Sequence, residues 1–229
     1  MKINSKYILV LAVTLFFGEL KAQIKQTVSN FDVLEVTDRL LVSIVPAADG
    51  QQEMEIKGDL ADKVEAVYSG NTLKLKMKGG YIMQGTQASV ILHAPSISKI
   101  VAKKGSEVNI ESDPMEVNAF SVVANEGSRV RLNVHAVGVD AIANTGSVID
   151  MLGSATKLNV STTAGGSFYG KDLKTEIAYV RVNAGGKTEV YATESADVET
   201  RAGGTIDVYG NPAQTKHRKI AGGKISFHK

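Results

Sequence analysis

The sequence predicts an all-β chain wound as a β-solenoid. Three observations predict it: a small dipeptide, Gly-Ser or Gly-Gly, that recurs along the C-terminal half; apolar residues held in fixed phase around each copy; and polar residues alternating with them. The first glycines of the dipeptides are Gly105, Gly127, Gly146, Gly165, Gly185, Gly203 and Gly222, spaced by 22, 19, 19, 20, 18 and 19 residues. A chain with 22 glycines could produce such a recurrence by chance, so the flanking residues decide.

They keep register. Five residues before each first glycine stand Ile100, Val122, Ala141, Val160, Val180, Val198 and His217, and three residues after it stand Val108, Val130, Ile149, Phe168, Thr188, Ile206 and Ile225. Offsets of minus three and plus five are apolar or small in the same way, with Lys219 the departure in the last coil. Even offsets carry Lys103, Asn125, Asn144, Asn183 and Arg201 before the glycine, and Glu107, Arg129, Lys187 and Lys224 after it. That is the period-two pattern of two half-buried strands, with the odd offsets inward. The small pair between the strands permits the dihedrals of a bend, making each glycine a structural coil corner. A unit of strand, bend, strand and return cannot bury its apolar side alone. Stacking copies about 4.8 Å apart aligns like residues into internal ladders, and seven coils would make a rod roughly 30 Å long. A β-sandwich of short strands is the competing architecture, but it needs no fixed phase of 18–22 residues.

Upstream, residues 31–93 lack the glycine repeat but alternate as short strands at Phe31 to Val36, Leu40 to Val45, Glu53 to Lys57, Val64 to Tyr68, Thr72 to Lys78 and Ala88 to Leu92, with a hairpin turn at Gly70-Asn71. Lys74, Lys76 and Lys78 read as the wet face of one strand, with an anion site as the alternative. No Pro/Ser-rich linker separates the halves, so the N-terminal strands are expected to pack on the coils of 97–229 as one domain over 23–229.

Four residues before the first glycine, an outward offset, the first three coils place Val101, Val123 and Ile142, where later coils place Ser161, Arg181, Glu199 and Arg218. An apolar stripe confined to three coils is expected to be covered by the N-terminal strands, packing across or extending the early coils, or to serve as an interaction site. At the C-terminal end Lys216, His217, Arg218 and Lys219 put positive charge on the last strands, which predicts a monomer or weak end-to-end association.

Residues 1–22 read as a secretory signal: Lys2 and Lys6, then an apolar run from Tyr7 to Phe17, then Leu20-Lys21-Ala22 before Gln23. An apolar run of 11 residues is too short to serve as a transmembrane anchor, where about 20 are needed. The expected location is therefore the periplasm, the outer-membrane surface or the medium. The absence of cysteine removes disulfides, thiolate metal sites, thiol catalysis and a lipid-modified cysteine. A net charge of +2 with no long basic block argues against nucleic acid.

The order Phe31-Asp32-Val33-Leu34-Glu35-Val36, Leu41-Val42-Ser43-Ile44, Met54-Glu55-Ile56-Lys57-Gly58 and Gly70-Asn71-Thr72-Leu73-Lys74-Leu75, followed by the Gly-Ser and Ala-Gly-Gly repeats, resembles the head GIN domain family. These are autotransporter-type adhesins of Bacteroidetes-like bacteria, and the resemblance runs over about residues 28–226. It implies a right-handed β-helical solenoid and an adhesive role, and it brings no catalytic or binding residues with it.

Chemistry is sparse. His93, His135, His217 and His228 are far apart and form no His-x-x-x-His pair, and no Gly-x-Ser-x-Gly elbow occurs, so no metal, cofactor or catalytic residue is assigned. The sequence best fits an exported cell-envelope structural or adhesive binding module without catalysis, its partner a glycan or cell-surface component. One alternative is a polysaccharide-cleaving β-helix enzyme using Arg131, Asp150, Glu189 and Asp207 on one exposed face with Arg129, Arg181 and Lys187 nearby. A third is an envelope-stress or regulatory sensor module.

Overall fold

The computed structural model describes residues 23–47, 52–110 and 113–229, so the expected signal at 1–22 lies outside the described residues. The N-terminal strands are β1 (Gln23–Thr27), β2 (Val33–Val36), β3 (Leu41–Pro46), β4 (Glu53–Lys57), β5 (Val64–Ser69), β6 (Thr72–Met77) and β7 (Ser89–Ala94). The glycine-marked part begins with the short β8 (Lys99–Ala102) and β9 (Glu107–Ile110). It continues through the long β10 (Met115–Ala124), β11 (Arg129–Asn144), β12 (Val148–Thr163) and β13 (Ser167–Asn183). It ends with β14 (Lys187–Tyr191), β15 (Ser195–Arg201), β16 (Thr205–Tyr209), β17 (Gln214–Ile220) and β18 (Lys224–Phe227).

The chain is a β-solenoid. Strands that precede a glycine corner pair in parallel from coil to coil as a leading sheet, and strands that follow it pair as a trailing sheet. The long strands β11, β12 and β13 run from the trailing sheet of one coil into the leading sheet of the next. Their middle sections, with Val134 to Ala136 facing Gly153 to Ala155, form a short third side.

Parallel stacking lines up like side chains. On the leading sheet one inward ladder runs Leu73, Leu34, Ile100, Val122, Ala141, Val160, Val180 and Val198; on the trailing sheet another runs Val90, Val42, Val108, Val130, Ile149, Phe168, Thr188 and Ile206. All of these residues are buried. Two of the hydroxyls that interrupt the apolar interior, those of Thr162 and Thr188, lie 3.3 Å apart and satisfy each other, as buried polar groups must.

At each corner two consecutive residues take left-handed dihedrals, as at Thr145 (φ 52°) and Gly146 (φ 68°). The next residue faces inward. In the first three coils it is a fully buried serine whose hydroxyl donates to a carbonyl of the preceding level: Ser106 to Val36 at 3.0 Å, Ser128 to Ala102 at 3.0 Å and Ser147 to Ala124 at 2.8 Å. From Gly166 onward this position is glycine. A Cβ on Gly166 would lie 2.1 Å from the Ala143 carbonyl oxygen, so here the backbones approach too closely for serine.

The N-terminal strands extend the solenoid. β2 and β3 join through Asp38 (φ 63°) and Arg39 (φ 64°), a corner built without glycine, and pair in parallel with β8 and β9. β6 and β7 pair with the other edges of β2 and β3. The first level in the sequence is thus sandwiched between the second and the third. Antiparallel β5 then edges β6, and β4 followed by β1 edges β7. The buried Asp38 carboxylate holds the glycine-free corner by accepting from the Thr37 hydroxyl at 3.3 Å, the Met77 amide at 3.4 Å and the Lys104 ammonium at 3.5 Å.

The outward rows are ionic where the halves meet. Glu35 lies between Lys74, 2.9 Å away, and Lys103, 3.3 Å away. Burial pushes the Glu35 carboxyl up, but these two ammonium groups outweigh it and hold the group below its ordinary value. Lys76 pairs with Glu65 at 3.1 Å, and Lys78 donates to the Asp62 carbonyl at 2.7 Å, so the lysine face of β6 is engaged within the protein.

Two features refine the sequence reading. The N-terminal half extends the early coils in register, one of the two expected arrangements, which puts β2 and β6 beside the coils and leaves the stripe of Val101, Val123 and Ile142 uncovered by them. At the other end His217 and Lys219 occupy the inward registers of Val198 and Thr200 but are exposed, because no further level packs on β17 among the described residues.

Candidate functional site

The outward residues of the leading sheet form two rows that cross the coils. Register places Ser121, Asp140, Asn159, Tyr179 and Asp197 in one row, and Val101, Val123, Ile142, Ser161, Arg181 and Glu199 in the next. Within the stripe Val101 and Val123 are half-buried by their neighbours, whereas Ile142, the last of the three, is 37% exposed. Tyr179, two coils further on, is 39% exposed.

Between them the sheet carries a shallow trough of about 600 Å³. Its floor is the middle coil, where the side chains of Asn159 and Ser161 are short. One wall is Asp140 with Ile142, the other is Tyr179 with Arg181, and Lys157 and Ser121 complete the lining. The trough exists because the row of Ile142, Ser161 and Arg181 runs from large to small to large over three consecutive coils.

The walls are fixed by local contacts. Asn159 donates to the Asp140 carboxylate at 2.7 Å, which ties floor to wall. The Lys157 ammonium sits 5.1 Å from the centroid of the Tyr179 ring and holds it by a cation–π contact. Arg181 spends one guanidinium nitrogen on the Val180 carbonyl at 2.9 Å and on Asp197, at 3.2 Å to the carbonyl and 3.1 Å to the carboxylate. Its Nε also lies 3.9 Å from Glu199. The hydrogen bond from Arg201 pulls the Glu199 carboxyl below its usual range against the opposing effect of burial, and the charges of Arg201, Arg181 and Arg218 add to it. Arg181 is therefore balanced by neighbouring carboxylates, while Lys157 packs on the Tyr179 ring.

The residues weighed for polysaccharide cleavage lie on the trailing sheet. Register sets Asp150, Tyr169, Glu189 and Asp207 in one outward row. Each carboxylate is tied to a basic side chain: Asp150 to Arg131 at 3.5 Å, Glu189 to Lys187 at 2.6 Å and Asp207 to His228 at 2.8 Å. The hydrogen bond and charge of Glu189 push the Lys187 ammonium up, as a surface ion pair does. Arg129 projects from the same sheet, whereas Arg181 stands on the leading sheet. Among the described residues no three metal-ligating side chains converge, and His135 pairs with Glu116 at 2.8 Å.

The seven corner glycines, Gly105 to Gly222, line the edge between the two sheets at positive φ and carry no side chain toward the trough. The sequence drew attention to the row containing Ile142 because its residues are apolar. It passed over Asp140, Asn159 and Tyr179, two residues earlier, because a polar residue at an even offset is what any wet strand shows.

Among the described residues no helix is long and apolar enough to cross a membrane. No curated protein matches the chain. Solved structures do. One is described as a putative adhesin from Bacteroides fragilis, with a TM-score of 0.81 at 18% identity, covering 91% of this chain and 98% of that one. Another is described as a putative lipid binding protein from Parabacteroides distasonis, with a TM-score of 0.69 at 16% identity, covering 93% and 98%. A third, described as a putative adhesin from Parabacteroides merdae, has the same score, identity and coverage. At these identities the likeness shows a shared fold. Residues 30–212 match the family model described as "Putative auto-transporter adhesin, head GIN domain". With that match spanning most of the chain, the protein belongs to the head GIN domain family.

Proposed function

We propose that the chain is an exported cell-envelope module of the adhesive type, acting as one unit over residues 23–229 and binding a surface component without catalysis. The observation that carries the proposal is the uncovered leading sheet, where Ile142 and Tyr179 stand exposed on opposite sides of an open trough. The ladders fill the inside of the solenoid, so a ligand meets the outside of the coils. This holds for a lipid as well, the ligand class named for one of the structural neighbours. The carboxylates of the trailing sheet support binding rather than cleavage, because each is already engaged by a basic neighbour, Arg131, Lys187 or His228.

The test has two arms. Full-length protein expressed in a Gram-negative host should lose residues 1–22 and leave the cytoplasm; retention as an unprocessed cytoplasmic chain would overturn export. The processed protein, fluorescently labelled, should be retained on intact bacterial or epithelial cells, and Ile142→Asp should reduce retention while leaving the melting temperature unchanged. Equal retention of both proteins would remove the leading sheet as the binding face.

A further inference from the structure

We propose that the trough on the leading sheet is a carbohydrate subsite that seats one sugar ring against Tyr179, an inference that rests on the binding-module reading above. The shape comes first. The strands that carry the two walls are two coils apart, about 9.6 Å at the usual strand spacing, which leaves room for one flat ring above the short side chains of Asn159 and Ser161. A longer floor residue would close the trough.

The chemistry of the walls selects the ligand class. Tyr179 offers an exposed aromatic face that Lys157 holds in place, and the C–H face of a pyranose packs on such a ring. Asp140 uses one carboxylate oxygen to accept from Asn159 and keeps the other open. Asn159 retains its amide oxygen and Ser161 its hydroxyl, so two acceptors stand beside a group that both donates and accepts. Adjacent sugar hydroxyls, each of which both donates and accepts, match that set, whereas a phosphate, which brings acceptors, does not. The charges agree: Asp197 and Glu199 neutralise Arg181, and the lining holds one further cation, Lys157, against one carboxylate, Asp140, so the trough offers little net attraction to an anion. The ligand inferred is a neutral hexose-containing glycan. An open site of this size gives weak single-site affinity, which repeated sugars on a surface would raise by multivalency.

The experiment is a glycan array carrying neutral, sulfated and sialylated oligosaccharides, probed with the secreted full chain. Saturation-transfer NMR on the neutral hits, with maltotriose, cellotriose and triacetylchitotriose as fixed probes, accompanies it. Neutral glycans should bind, with transfer to ring protons. Tyr179→Ala should weaken binding roughly tenfold, the loss of one stacking contact of about 1.4 kcal/mol. Tyr179→Phe should bind as the parent does, and Tyr169→Ala on the trailing sheet should have no effect. Absence of any sugar binding, binding confined to sulfated or sialylated glycans, or binding insensitive to Tyr179→Ala would each overturn the subsite. Cell-surface retention separates the two readings: a chain that adheres to cells yet binds no sugar refutes the trough alone, whereas a chain that does not adhere refutes the module.

Discussion

Replacing Val130 by Asp places a carboxylate in the middle of the trailing-sheet ladder, between Val108 and Ile149, at a position 2% exposed. The lost valine burial is worth about 1.5–3 kcal/mol, and an unpaired charge in the same place costs several more. Register offers the new carboxylate no basic neighbour on the inward side, because its ladder neighbours are all apolar. The sum, roughly 5 kcal/mol or more, is comparable with the whole stability of a domain, about 5–15 kcal/mol. A solenoid coil touches chiefly its two neighbours, so a coil that cannot close weakens the stack on both sides. At about 2–4 °C per kcal/mol for a chain of this size, the expected fall in melting temperature is at least 10 °C. Arg129→Asp, one residue away and exposed, should stay within about 0.5 kcal/mol of the parent. Thermal melts of the purified variants followed by circular dichroism decide the matter, and equal melting temperatures would show that the inward assignment is wrong.

Three further outcomes are expected. Gly153→Ala puts a Cβ 2.0 Å from the Val134 carbonyl oxygen at a φ of 113°, so strain and overpacking of about 1–3 kcal/mol each should add, whereas Gly70→Ala, at φ 55° with open space, should cost only about 1–2 kcal/mol; equal urea midpoints would contradict the close approach. Glu35 is held below its ordinary value of 4.5, so it stabilises the fold fully above that pH and loses the contribution as pH falls through its depressed folded value. Glu35→Gln should therefore flatten the fall in stability below about pH 4.5, and an unchanged acid limb would refute the Lys74–Glu35–Lys103 pairing. The edge of β17 exposes Lys216, Arg218 and Lys219, whose repulsion should keep the protein monomeric at neutral pH in sedimentation; a tight dimer that survives high salt would count against the charged edge.

The glycine-marked coils were legible in the sequence because each corner needs two consecutive left-handed residues, a demand that selects glycine and so leaves a visible mark. The corner at Asp38 and Arg39 meets the same demand without the mark. Aspartate tolerates the conformation, and Asp38 is held by contacts from Thr37, Met77 and Lys104, the last two far away in sequence. Yet the phase was there. Counted from Arg39, Leu34 and Val36 stand five and three before, and Val42 and Ile44 three and five after, the same odd offsets that mark every later coil. The level formed by β6 and β7 keeps Leu73, Leu75, Val90 and Leu92 in those ladders, but the insertion between its strands hides the phase.

The order of the first levels follows a different logic from the order of the chain. A coil whose two edges are both parallel-paired can be flanked from either side, so nothing local in β2 and β3 says which neighbour lies above and which below. The observed order is accommodated at Gly85, in the long β6–β7 connection, which donates to the Asp38 carbonyl at 3.1 Å and whose missing Cβ leaves room for Asp38 and Leu40, each 2.5 Å from where it would sit. The trough is hidden for a related reason. Asp140, Asn159 and Tyr179 are unremarkable as single outward residues of three strands, and they become a site only when parallel stacking sets them side by side, next to the large, small and large side chains of Ile142, Ser161 and Arg181. In a solenoid the periodic positions record the fold, and function resides in the departures from the period, which acquire meaning only across coils.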